Sequence, residues 1–190
     1  MEPHEPMSGD QETRLWIKDL LQKEYEKIPF DEGEKFTYLG MVLTRTRHGY
    51  EIFMRSYIED ILEIYARPVP AKMNLFMVNS LPMLSKHDKE LFHYIVAKLL
   101  YLGKRGQPDI LLSVQFMCTR VKAPTDEDRR IFERVLGYLK LMKNWSRFID
   151  KSAFERVETY IDASFKMHAN GKSQSGCMTF LGNMLVHEGC

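Results

Sequence analysis

Asp162 is the residue whose setting reads most like chemistry. It lies in Thr159-Tyr-Ile-Asp-Ala-Ser-Phe165, where aromatic and β-branched residues predict a strand. His168-Ala-Asn-Gly-Lys-Ser-Gln-Ser-Gly-Cys-Met-Thr-Phe-Leu-Gly182 follows as the return strand of a hairpin. An aspartate flanked by apolar residues on a strand is expected to be buried, and a buried carboxylate is a hard oxygen ligand or a proton carrier. One carboxylate is not a site, however, and the plain reading is an edge-strand aspartate near a turn. A second set of residues is cationic: Lys98, Lys104, Arg105, Arg120, Lys122, Arg129, Arg130, Arg134, Lys140 and Lys143 could neutralise backbone phosphates. They cannot all face one way, because Arg130 and Arg134 are one helical turn apart while Arg129 projects aside. Taken singly, each cation is more simply a solvated surface charge.

Other scans come out empty. The histidines at 4, 48, 87, 93, 168 and 187 show no metal-ligand spacing, and Glu188 is a poor substitute for a second acid. Cys118, Cys177 and Cys190 are odd in number and lack a C-x-x-C pair, so neither a disulfide framework nor a zinc site is indicated. No phosphate-binding loop, nucleophile elbow or dinucleotide fingerprint occurs.

The elements that must position these residues can be read in order. After a polar, proline-bearing tail over residues 1–12, Leu15, Leu20, Leu21 and Ile28 predict a helix from Thr13 to Lys27, stopped by Pro29. Phe36 to Thr46 reads as one strand, joined through Arg47-His48-Gly49 to Tyr50-Glu-Ile-Phe-Met54. Ser56 and Glu59 suggest a capping box opening a helix that buries Ile58, Ile61, Leu62 and Tyr65. Residues 67–85 hold Pro68, Pro70 and Pro82 without a period and read as a linker. Three helices follow. They open at Ser85 with Asp88, at Pro108, and at Thr125 with its three following acids. Their apolar stripes need one another, which predicts a compact three-helix unit.

The chain has 190 residues, 44% of them hydrophobic and 28% charged, which suits a globular chain with a real core. No apolar run approaches the ~18 residues of a membrane span, and the acidic N-terminus is unlike a signal peptide. The expected setting is therefore intracellular, cytoplasmic or nuclear, without membrane contact or secretion. The net charge of +1 hides a division. Residues 1–66 carry 8 Lys and Arg against 14 Asp and Glu, whereas residues 86–147 carry 13 against 7. A basic segment beside an acidic one suggests a polyanionic partner that touches only part of the molecule.

Several ordered motifs resemble the Pol polyprotein of copia-type LTR retrotransposons. The family string "YL…RPDI…AV…SR…PT" is matched by Tyr101-Leu102, Gln107-Pro-Asp-Ile110, Ser113-Val114, Thr119-Arg120 and Pro124-Thr125, with Gln107 in place of the usual arginine. Upstream, Tyr38-Leu-Gly40 and Tyr57-Ile-Glu-Asp60 match "FLG…YI(E/K)DLL". The resemblance covers roughly residues 15–186.

The resemblance implies an α+β fold with the hairpin and helix of a polymerase palm edge at 13–66. A linker at 67–85 and a three-helix thumb-like unit at 86–147 follow, then the opening hairpin of a truncated RNase H-like domain at 148–190. It makes Asp162 the first RNase H carboxylate and a ligand for Mg²⁺, with Ser164 where many relatives carry a second aspartate. It also implies contact with RNA–DNA hybrid or other nucleic acid through Lys98, Lys104, Arg105, Arg120, Lys122, Arg130, Arg134 and Lys140, and with the rest of the polyprotein. The family's Y-x-D-D hairpin should precede Tyr38, yet residues 1–35 hold nothing like it, and Tyr160-Ile-Asp-Ala163 is a coincidental echo. The sequence stops at Cys190 before the later RNase H acids. The chain alone is therefore expected neither to polymerise nor to cleave RNA, and no cofactor is expected to bind it tightly. The competing expectation is an inactive remnant or a protein-interaction module.

Overall fold

Helix α1 (Gln11–Glu24) forms where the spacing predicts one. Leu15 and Leu20 nevertheless stay about half exposed, so the helix adds little to the core. A computed structural model describes residues 11–25, 33–67, 82–150, 156–165, 171, 173–182 and 184–189. The expected tail up to residue 10, Pro29, most of the linker (68–81) and His168 lie outside the described residues.

Strands β1 (Lys35–Tyr38), β2 (Met41–Thr46), β3 (Gly49–Phe53) and β4 (Ser146–Asp150) make an antiparallel sheet in that order. The single strand expected over residues 36–46 is in fact two strands. Leu39 and Gly40 both take positive φ (49° and 78°) and pair Tyr38 with Met41. A two-residue loop with both φ values positive matches the right-handed twist of its flanking strands. Continuous β-type residues hid this turn, and Gly40 was its one signal. The second turn, at Arg47-His48, falls as expected, with Thr46 paired to Gly49. Strand β4 was not anticipated. It returns after the helices to pair with β3 from Gly49↔Asp150 to Phe53↔Ser146. A Cβ on Gly49 would sit 1.8 Å from the Ile149 carbonyl oxygen, so the pairing requires glycine there.

Helix α2 (Arg55–Tyr65) follows β3 directly, and the capping box proposed for Ser56 and Glu59 does not form. Its N-cap is Met54, which leaves Ser56 already inside the first turn. Glu59 instead accepts from Arg55 Nε at 3.0 Å and from Lys143 Nζ at 2.7 Å. These two cations hold its carboxyl below the usual range, Lys143 more than Arg55.

Helices α3 (Lys86–Arg105), α4 (Leu111–Arg120) and α5 (Asp126–Met142) start where their caps predict. Ser85 accepts from the Asp88 N–H, a 3₁₀ turn at Pro108–Ile110 leads into α4, and Thr125 with Asp128 forms a reciprocal box. Their apolar faces meet at Ile95, Leu99, Leu102, Val114, Met117, Phe132, Leu136 and Leu139, all nearly or fully buried. Each such side chain contributes about 1.5–3 kcal/mol. The cluster continues without a break through Ile58 and Ile61 of α2 to Met54, Ile52 and Met41. Tyr65 meets Phe132 edge-on at 4.9 Å, closing the α2–α5 contact.

Beyond the first sheet, β5 (Val157–Ser164), β6 (Gln174–Leu181) and β7 (Met184–Gly189) form a second antiparallel sheet in chain order. The expected hairpin is present and gains a third strand. The molecule is accordingly α+β. Arg147 of β4 bridges the parts, donating to the carbonyls of Lys104 and Arg105 at 3.3 and 3.2 Å and to that of Leu185.

Candidate nucleic-acid interface

The structure divides the eight nominated cations. On α3, Lys98 and Arg105 are seven residues apart and share one face, while Lys104 points about 120° away from Lys98 at ~100° per residue. On α5, Arg130 and Arg134 lie within about 40° of each other, and Lys140 sits roughly 80° from Arg130. Two of the eight are held by acids of their own unit. Arg120 Nε lies 3.0 Å from Asp128, and Arg130 lies 3.4 Å from Glu127. Arg129 and Lys143 are similarly engaged with Asp126 and Glu59. Lys104, Lys122, Arg134 and Lys140 form no ion pair among the described residues.

Lys98 and Arg105 have aromatic rather than acidic partners. Lys98 Nζ lies 4.9 Å from the centre of the Tyr57 ring and 5.6 Å from that of Tyr94, and the Arg105 guanidinium lies 5.8 Å from the Tyr101 ring. Tyr57 and Tyr101 meet at 5.4 Å, and the Tyr101 hydroxyl donates to the Leu39 carbonyl at 2.8 Å. Burial, and then the neighbouring Tyr101 and Tyr94, push the Tyr57 phenol above its ordinary value, so it stays neutral and ring-like. The tyrosines were missed in the sequence. Their signal was the spacing Tyr94, Lys98, Tyr101, Arg105, which repeats every three to four residues on a helix.

Asp162 is exposed, contrary to the expectation of a buried acid. Strand β5 is an edge strand, open to solvent on both faces for most of its length, and so cannot shield the carboxylate. Its Oδ1 accepts from the Ala163 N–H at 2.9 Å, and its cross-strand partner is Gly176, which has no side chain to offer. Glu158 lies four residues along the strand, about 13 Å away at ~3.3 Å per residue. Glu188 pairs with Met178, two strand spacings from β5 and so roughly 10 Å off. Ser164 bears no acid. No group of three His, Cys, Asp or Glu able to hold a metal occurs among the described residues. These residues do not fit a Mg²⁺ centre, whose ligands stand ~2.1 Å from the ion.

A cleft of about 550 Å³ opens where the first sheet, the end of α3 and β7 meet. Met41, Leu43, Ile52 and Ile149 line its apolar side, and Lys104, Arg105, His187 and Glu188 its polar side. Arg147 also lines it, with its guanidinium committed to backbone carbonyls. Among the described residues, no helix is long and apolar enough to cross a membrane.

Sequence comparison relates the chain to a plant protein. It is 28% identical over 148 residues to the Arabidopsis thaliana protein named "Uncharacterized mitochondrial protein AtMg00810". The match takes in 77% of this chain and 59% of that protein, so the chain spans about three fifths of the length of its relative. No protein-family profile matches the chain. No solved structure matches it either.

Proposed function

We propose that this chain derives from a retroelement, as the thumb-bearing segment of a copia-type reverse transcriptase and RNase H polyprotein, and that it binds nucleic acid through its helical unit. The observation that carries the reading is the order of the motifs. Tyr38-Leu-Gly40, Tyr57-Ile-Glu-Asp60, Tyr101-Leu102, Gln107-Pro-Asp-Ile110 and Pro124-Thr125 follow one another as in that family. They fall on the β1–β2 turn, α2, α3, the 3₁₀ turn and the start of α5. The binding it predicts is electrostatic and independent of sequence, carried by the α3 cations with Arg134 and Lys140. Catalysis is not part of the proposal: among the described residues, Asp162 belongs to no group of acids or histidines able to share an ion.

The test is fluorescence anisotropy with a labelled RNA–DNA hybrid over a range of salt. Each phosphate contact contributes about 0.9 to the slope of log affinity against log salt. Lys104→Ala and Arg134→Ala should each flatten that slope by about one contact. Absence of binding at low salt would sink the reading.

One observation favours a second reading, that of a protein-interaction module. Val157, Ile161 and Phe165 are 67%, 77% and 79% exposed on or beside the β5 edge. A long apolar edge strand invites pairing with another chain. Association that persists at high salt, without nucleic-acid binding, would favour this reading.

A further inference from the structure

We propose that the tyrosine-lined face of α3 and the adjoining cleft form a site for single-stranded nucleic acid, with bases stacked on Tyr94 and Tyr38 and phosphates held by Lys98 and Arg105. The inference rests on the nucleic-acid reading above and specifies the form of its ligand.

Tyr94, Lys98, Tyr101 and Arg105 fall within an arc of roughly 60° on α3 and span about 16 Å of its axis. Aromatic rings and cations alternate along that line, with Tyr57 of α2 set between Lys98 and Tyr101. Tyr57 and Tyr101 anchor the row, whereas Tyr94 is 54% exposed and Tyr38, on the neighbouring hairpin, is 61% exposed. Paired bases inside a duplex present only their edges, so an exposed ring face has nothing to stack on there. An unpaired base offers its own face, and alternating rings and cations are the means by which proteins track single strands.

The cleft lies at the Arg105 end of the row. Its volume is within the ~300–1,000 Å³ of small-ligand sites. An apolar wall of Met41, Leu43, Ile52 and Ile149 suits a base, and Lys104 and Arg105 suit the attached phosphate. Glu188 on the same rim opposes a phosphate, which confines the anion to the α3 side. An unpaired nucleotide at the end of the tracked strand is the occupant this lining fits.

The experiment compares oligo(dT), oligo(U) and a blunt RNA–DNA hybrid of equal length by anisotropy, using the full chain, Tyr94→Ala, Tyr94→Phe and Arg105→Glu. Loss of one stacked base corresponds to a weakening of about fivefold or more. Tyr94→Ala should weaken single-strand binding by that factor and leave hybrid binding within about twofold, while Tyr94→Phe, which keeps the ring face, should bind like the parent. Arg105→Glu should weaken both, more so at low salt. Tyr94 is exposed, and unchanged circular dichroism would show that its variants fold. Equal effects of Tyr94→Ala on hybrid and single strand, or none on either, overturn the site while the nucleic-acid reading stands. No binding of any of the three at low salt overturns both.

Discussion

The family resemblance implies a phosphate contact for Arg120, whereas its ion pair with Asp128 points to a role in the fold, and the two roles predict different outcomes. Asp128 is a buried acid, its side chain only 4% exposed. Its Oδ2 accepts from the Thr125 N–H at 2.7 Å and from Thr125 Oγ1 at 2.9 Å, while Oδ1 accepts from Arg120 Nε at 3.0 Å. Asp128→Ala leaves the Thr125 N-cap in place but removes the acid half of the α5 capping box, about 1 kcal/mol, and a charge-assisted bond whose cationic partner can return to water, about 1–2 kcal/mol more. The sum of about 2–3 kcal/mol corresponds to a loss of roughly 4–12 °C in Tm for a chain of this size. Arg120→Ala leaves the buried carboxylate with its Thr125 partners, for a cost of about 1–2 kcal/mol or roughly 2–8 °C. Differential scanning fluorimetry measures both, and the anisotropy salt series measures the functional side. The expected result is a lower Tm for Arg120→Ala with an unchanged salt slope. A Tm within about 1 °C of the parent, with the slope reduced by about one contact, would refute the structural assignment and return Arg120 to the phosphate set.

Two further outcomes test the fold. Gly49→Ala forces a methyl into the Ile149 carbonyl, so it should cost at least the top of the ~1–3 kcal/mol range for overpacking, and hydrogen exchange should report lost protection between β3 and β4 while the α3 amides stay protected. At acid pH, Arg67 and then Ser85 hold the Asp88 carboxyl below its ordinary value of 3.8, so its stabilising effect is present above 3.8 and is lost as pH falls through the lower folded value. Asp88→Asn should therefore be less stable than the parent at neutral pH and lose less on acidification, as followed by circular dichroism. Parallel acid limbs would count against that linkage.

Helix positions were legible because each rests on local chemistry. Ser85 with Asp88, Pro108 and Thr125 with Asp128 are short-range signals, and the apolar spacing that follows each is buried as read. What could not be read depended on distance or on the chain's immediate neighbours. Ser56 has the residue type of a cap, but β3 runs so close to α2 that the helix has already begun there. Strand β4 carries little local signal, since its place is set by pairing with β3 across the four intervening helices, α2 to α5. Asp162 looked buried because its flanks are apolar, whereas exposure is decided by whether anything covers the sheet. Charge counts suggested a basic face, but only side-chain geometry distinguishes Arg120 and Arg130, held by acids, from Lys98 and Arg105, set against rings.

The return of β4 has a consequence for any surface built on α3. Closing a loop of about a hundred residues to pair Gly49 with Asp150 costs chain entropy that only the intervening packing can offset. The hairpin and the helices therefore stabilise one another, through the core that runs from Met41 to Leu139, the Lys143–Glu59 pair and the bond from Tyr101 to Leu39. The last two contacts tie the middle of α2 to the C-terminal end of α5 and the β1–β2 turn to α3. The elements that carry Tyr38 and Tyr94, far apart in sequence, are thereby joined to one another through the Tyr101–Leu39 bond. A ligand that stacks on both then spends little of its binding free energy on ordering the protein, which is the condition under which a few rings and cations suffice for measurable affinity.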